Sequence, residues 1–301
     1  MESGDELQIA GMKVVFDRLL KGANIFQFNN ANKLKEFGIS TGAATPTTSN
    51  FFYESEDDKL LDDKGQTEYR SLNSYLMFGS KRSYPEISVP VVTLSKKYNK
   101  ATERDMGKAI RVAQYVYGTR YTHFLRLQPS SFQVIAMSDA ADGINSNGRG
   151  QTGGVIGFES RTGAWFAFIC KTQPVVAQSS GEAELNAVNT VGNFVDWAKQ
   201  LMEELGFDQG PVPIFQDSEC SLKMLQKGTG SFKRAEHIKI RWFWLKDLID
   251  AGEVVMRYIP TAEMVADILT KAMTGARFRY LRSFLLGWFG VQLDHAISEE
   301  V

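Results

Sequence analysis

The spacing of apolar residues changes character near residue 130. Before it, Gly11 to Phe28 reads as strand, turn, strand, with Met12, Val14 and Phe16 on one side of Lys21-Gly22-Ala23-Asn24 and Ile25-Phe26 on the other. A short helix is expected from Ala31 to Phe37, closed by Gly38. Ser40 to Gln66 is rich in Thr, Ser and Asp and predicts an exposed, mobile connection. Glu68–Phe78, Ser88–Tyr98 and Glu103–Tyr117 then carry apolar residues at helical spacing. After Pro129 the pattern alternates between strand and helix. Ser131–Ser138 is an unbroken apolar strand, Asn147-Gly148 marks a turn, and Thr152–Glu159 and Ala164–Thr172 complete an antiparallel meander. A helix from Gly181 to Leu205 stops at Gly206, followed by a strand Val212–Gln216, helices Ser218–Lys227 and Arg234–Ala251, a strand Glu253–Ile259 and a helix from Ala262. This order predicts an α/β fold with a mixed five-stranded sheet flanked by helices, preceded by a small strand-plus-helical module.

Composition narrows the class. The 301 residues, 43% hydrophobic and 12% aromatic, allow two modest domains and exclude a disordered chain. The net charge of −1 argues against a uniformly basic nucleic-acid binder, but it hides an asymmetry: +3 over residues 1–130 and −4 over 131–301. The late basic residues of the first part, Lys96, Lys97, Lys100, Arg104, Lys108 and Arg111, form either a solvated helix face or a phosphate-facing surface. Cys170 and Cys220 lack metal or disulfide spacing and read as buried thiols of a reducing compartment. The acidic start has no apolar targeting segment and no window approaches a membrane span, so an intracellular, soluble protein is expected, in a cytoplasmic particle or the nucleus, with no membrane partner.

Four carboxylates stand where chemistry and structure compete. Asp139 ends or interrupts a strand apolar enough to be buried on both faces; there it either needs a cation or turns back to cap its own backbone. Glu184 shares a stripe with Val188, Val191 and Val195 at about 100° per residue, the stripe that faces the sheet. Glu182, three residues after Ser179, is accounted for by a capping box. Asp217 follows a strand and precedes a helix, where an N-cap and a strand-end catalytic position coincide. Asp267 lies within the helix expected to begin at Thr261. Carboxylates brought together from separate elements could bridge two Mg²⁺ ions roughly 4 Å apart, the arrangement that hydrolyses a phosphodiester in line.

The residues around these acids carry a resemblance. Lys171–Val188, KTQPVVAQSSGEAELNAV, resembles the signature of copia-type retrotransposon ribonuclease H, and IFQDSECSLKML, KRAEHIKIRWFWLKDLIDAGEV and YIPTAEMVADILTKAM resemble its later motifs. The resemblance implies a ribonuclease H-like domain over 131–290 with a tail over 291–301, and Asp139, Glu184, Asp217 and Asp267 as its catalytic, metal-binding carboxylates. It implies two Mg²⁺ ions, with Mn²⁺ able to substitute, and an RNA–DNA hybrid as substrate. In the first motif Ala141 and Asp142-Gly143 depart from the family's pattern. The family's mobile His has no clear counterpart, and His237 reads as structural.

Residues 1–128, through GMKVVF, KLKEFGIST, TPTT, EYRSLNSYLMF, YPEIS and KAIRVAQYVYGT, resemble the palm end, thumb and connection of copia-type reverse transcriptase. The pairs Asp57-Asp58 and Asp62-Asp63 fall in a polar loop and not in the strand hairpin a polymerase needs, so no polymerase activity is expected. A Met placed after the missing polymerase motif makes a second reading available: a domesticated, catalytically weakened scaffold or nucleic-acid-binding subunit of a larger assembly. A transposase or resolvase of the same fold class would leave the first part unexplained.

Overall fold

A computed structural model describes residues 5–19, 21–143, 148–227 and 236–289, with the backbone alone at 224, 226, 227 and 236–242. The turn residue Asn147, the helix start at Arg234, the His237 side chain and the tail 291–301 lie outside the described residues. The chain divides into two compact units, Met1–Gln128 with Ala272–Val301, and Pro129–Lys271.

In the first unit, β1 (Glu6–Ile9), β2 (Met12–Asp17) and β3 (Gly22–Phe26) form an antiparallel sheet that β4 (Leu125–Leu127) extends. The short helix α1 (Phe28–Lys33) tightens into a 3₁₀ turn over Leu34–Phe37, and Gly38 closes it at φ +77°. Of the two Asp pairs in the polar stretch, Asp62 caps α2 (Asp63–Ser80) by accepting the Gly65 N–H at 2.7 Å, and Asp58 pairs with Arg104 at 2.7 Å. The stretch is not wholly exposed as expected, since Phe51 and Thr47 are buried in it. Helices α3 (Ser88–Ser95) and α4 (Glu103–Thr119) follow, α4 opened by a capping box of Thr102 and Asp105.

Several basic residues of this region are engaged within the unit: Lys97 pairs with Glu54 at 2.7 Å, Lys108 donates to the Tyr53 carbonyl at 3.0 Å and Arg111 to Thr45 Oγ1 at 3.2 Å. One buried polar cluster ties the unit together. Tyr115 OH donates to Glu86 Oε1 at 2.8 Å, His123 Nδ1 faces the same oxygen at 3.3 Å, and Arg282 donates to Tyr115 OH at 3.1 Å.

The second unit is built on a mixed sheet. Strands β5 (Val134–Ala141), β6 (Gln151–Phe158) and β7 (Trp165–Thr172) form the antiparallel meander, and β8 (Val212–Gln216) and β9 (Val254–Tyr258) add in parallel on the other side of β5. The order β7-β6-β5-β8-β9 places β5 at the centre with both edges paired, and residues on both its faces are buried, in keeping with a sequence that lacks polar alternation. Helix α5 (Ser180–Glu204) lays Val191, Val195, Ala198 and Met202 on Val134, Ala136, Ile156 and Ile214. Each fully buried aliphatic side chain of this kind contributes about 1.5–3 kcal/mol. Helices α6 (Glu219–Lys227) and α7 (Glu236–Asp250) separate β8 from β9.

Three expectations differ from what is observed. The helix expected from Ala262 is a pair of 3₁₀ turns, Thr261–Glu263 and Val265–Leu269, and the next α-helix, α8 (Gly275–Leu285), begins only after them. Met264, between the turns, is extended at ψ 94°, which breaks the helical hydrogen-bond ladder before it can propagate. Cys220 is exposed, on the first turn of α6, while Cys170 is buried as expected. Residues 272–289, carried to residue 290 with the second part by the sequence reading, group with the first unit, where Phe278 stacks edge-on against Tyr115 at 5.9 Å.

Candidate metal centre

Each carboxylate reaches the site on a different element. Asp139 stands inside β5, paired across the ladder with Gly153, so it is a strand residue and not the start of a turn. Glu184 sits in the first turns of α5 on the stripe that faces the sheet, with Val188, Val191 and Val195 below it. Asp217 follows the last residue of β8. The capping role that competed for it belongs to its neighbour, because Ser218 Oγ accepts the Ser221 N–H at 3.3 Å. One oxygen from each of Asp139, Glu184 and Asp217 lies within 4.8 Å of the others.

Asp267 arrives on the second 3₁₀ turn and is itself buried, only 4% exposed. It is outside that group of three. Lys271, four residues on, donates to Asp267 Oδ1 at 2.5 Å and lies 3.7 Å from Asp139 Oδ2. The approach of this turn to β5 depends on a residue without a side chain: a Cβ at Gly153 would fall 2.5 Å from Thr270 Cγ2 and 2.7 Å from the Ala266 carbonyl oxygen.

The electrostatics are those of crowded anions. Burial, reinforced by Asp267 and Asp217 and partly offset by Lys271 and the Thr270 hydroxyl, pushes the Asp139 carboxyl up to about 7. Burial and then Asp139 push Glu184 up to about 8, against the hydrogen bond it accepts from Gln216. Burial opposes the charge of Lys271, yet Asp139 and Asp267 outweigh it and raise the ammonium pKa. Carboxylates held this way retain protons unless a cation takes their place. An all-oxygen donor set is the one that hard divalent ions prefer, so the residues fit Mg²⁺ or Mn²⁺.

Partners that the sequence reading did not select hold two of the acids. Gln216 Nε2 donates to Glu184 Oε2 at 2.9 Å, and Ser221 Oγ donates in turn to Gln216 Oε1 at 2.5 Å. Thr270 Oγ1 donates to Asp139 Oδ2. Signals for Lys271 and Thr270 were present in the run Asp267-Ile-Leu-Thr-Lys271, where the i,i+4 spacing suits an acid–base pair. Gln216 had only strand alternation to point it inward. Glu182 is engaged at the helix start but not as the full capping box expected: Ser179 Oγ accepts its N–H at 3.2 Å, while its own Oε2 accepts the N–H of Gln178, one residue before the cap, at 2.9 Å. The six basic residues singled out in sequence, Lys96 to Arg111, belong to the first unit and do not enter the cluster.

The chain is 24% identical over 291 residues to the retrovirus-related Pol polyprotein from transposon TNT 1-94 of Nicotiana tabacum, covering 94% of this chain and 22% of that protein. It is also 24% identical over 217 residues to the corresponding polyprotein from transposon RE1 of Arabidopsis thaliana, covering 72% of this chain and 15% of that protein. Its curated homologues are Pol polyproteins of copia-type plant transposons.

The chain spans about a fifth or less of the length of these Pol relatives. No family model matches it. Solved structures of similar shape include LC11-RNase H1, at 19% identity and a TM-score of 0.34, covering 46% of this chain and 93% of that one. Another is the foamy viral protease-reverse transcriptase in complex with an RNA/DNA hybrid, at 12% identity and a TM-score of 0.45, covering 85% of this chain and 29% of that one. The α/β class and the mixed five-stranded sheet flanked by helices expected from sequence are those observed.

Proposed function

We propose that residues 129–271 form a divalent-cation-dependent endonuclease that hydrolyses the RNA strand of RNA–DNA hybrids. The observation that carries this reading is the convergence of Asp139, Glu184 and Asp217, from three separate elements, to within 4.8 Å. Homology to Pol polyproteins and the run of copia-type motifs around the same residues support it.

Asp139, Glu184 and Asp217 would hold the cation, with Asp267 as the fourth carboxylate. When bound, Mg²⁺ supplies a more acidic water and a positive charge for the leaving oxygen. The chain's own residues set the geometry. Gln216, fixed by Ser221, keeps a Glu184 oxygen aimed at the cluster. Thr270 does the same for Asp139. The buried strand β5 and the stripe of α5 wall Asp139 and Glu184 off from bulk water, while the more exposed Asp217 leaves an open side for a phosphate. Substrate selection would rest on 2′-hydroxyl contacts and on a groove width between A and B form.

The test is cleavage of a hybrid labelled on its RNA strand, with Mg²⁺, by the wild type and by Asp217→Asn. Loss of one ligand should lower the rate by at least about 100-fold, in line with losing several kcal/mol of charge stabilisation. Equal rates refute the reading. Hybrid binding with no cleavage by the wild type would favour the scaffold.

A further inference from the structure

Two carboxylates of the centre are bridged by a cation that the chain itself provides. Lys271 Nζ stands 2.5 Å from Asp267 Oδ1 and 3.7 Å from Asp139 Oδ2. Asp139 thus faces two ways, toward Glu184 and Asp217 on one side and toward the Lys271–Asp267 pair on the other. The three-carboxylate group is complete without Asp267, so the centre divides into one all-carboxylate site and one position already holding a positive charge.

This arrangement is built rather than incidental. Lys271 follows Thr270, whose hydroxyl donates to Asp139 Oδ2, and the 3₁₀ turn carrying Asp267 is pressed against Gly153. The ammonium is tethered four residues from one partner, so a second divalent ion must displace it or share two carboxylates with it. A divalent ion a few ångströms from an ammonium is repelled by it, so the position the ammonium occupies binds such an ion weakly.

We infer that Lys271 acts as an internal cation at the second metal position: it leaves the three-carboxylate site to bind one divalent ion tightly and holds the second site at low affinity. The inference rests on the metal-dependent reading above. Lys271 is a positioning residue in this scheme, acting on cation occupancy, and the second ion joins only when something else neutralises or displaces the ammonium. A substrate phosphate approaching the open side is a group of the right charge to draw it away.

The test is Mn²⁺ binding to the full chain without nucleic acid, read from the loss of the free-ion electron paramagnetic resonance signal. The wild type should bind one ion tightly and a second at least tenfold more weakly. Lys271→Met should tighten the second site tenfold or more and leave the first within about threefold, a gain that a merely structural role for Lys271 cannot produce. Lys271→Arg, which keeps the charge, should behave as the wild type. An unchanged second site in Lys271→Met, or weaker binding of both ions, overturns the inference. If the first ion binds and is lost in Asp217→Asn while Lys271→Met changes nothing, only the role of Lys271 fails. If the wild type binds no Mn²⁺, the metal-dependent reading fails with it.

Discussion

Two glutamates on α5, two residues apart, show how far a single position can be argued. Glu182 is engaged by the helix start and Glu184 by the sheet-facing stripe, and the 100° step between successive helical residues separates them without reference to any known protein. A third buried glutamate has no such sequence signal. Glu86 faces His123 at 3.3 Å, a distance at which an ion pair would be the ordinary reading. Yet burial pushes Glu86 up to about 7 and His123 down to about 3, so both are neutral in the fold near pH 6. The hydrogen bonding agrees: His123 Nε2 meets the Ser83 carbonyl at 2.5 Å and must donate there, which leaves Nδ1 without a proton and the ring neutral.

The sign of the pH dependence follows. Glu86 is raised above its ordinary 4.5, so its contribution is complete below pH 4.5 and is lost as pH rises to about 7. His123 is lowered from 6.5, so its contribution is complete above pH 6.5 and is lost as pH falls toward 3. Glu86→Gln keeps the side-chain size and an oxygen to accept from Tyr115 but cannot ionise. Between pH 4 and pH 8 it should gain about 3 kcal/mol relative to the wild type, from 2.5 pH units at about 1.4 kcal/mol each. Calorimetric unfolding of both proteins at the two pH values decides it, and parallel pH profiles would sink the neutral-pair account.

At the scale of elements, the strands and long helices were legible because their apolar period is unambiguous, and the last acid's element was not. β8 is observed at the predicted Val212–Gln216, and α5 begins one residue before its expected start. The run Thr261-Ala-Glu-Met-Val-Ala-Asp267 has helical composition, yet it folds as two 3₁₀ turns because it must press its backbone against β6. That constraint sits on the other side of the contact, in Gly153, where no local pattern in 261–267 could show it. Ala266 offers its carbonyl oxygen and Thr270 its methyl to the space a Cβ would fill. Gly153→Ala should therefore push the turn outward, draw Asp267 and Thr270 away from Asp139, and cost about 1–3 kcal/mol of overpacking. Melting temperature and Mn²⁺ affinity measured together provide the check: a lower melting temperature with unaltered cation binding would mean that the turn's distance from β5 does not matter to the centre.

For the molecule as a whole, the compact units meet in sequence at Gln128 and Pro129, close to the change of apolar pattern near residue 130. The second boundary was hidden. Gly275–Leu285 has an amphipathic helical sequence that would suit either unit, and only its partners decide: Phe278 against Tyr115 and Arg282 donating to Tyr115 OH bind it to the first. The second unit is left with its own core, from Val134 and Ala136 through Ile156, Val191 and Val195 to Val254, and with all four carboxylates. A unit of about 140 residues lies in the size range where one hydrophobic core sustains an independent fold. Residues 129–271 expressed alone should therefore unfold in one cooperative transition and bind the first Mn²⁺ ion with an affinity within about threefold of the full chain. A non-cooperative melt together with loss of cation binding would show that the centre needs residues beyond Lys271, and that the second unit is not the physical domain its core implies.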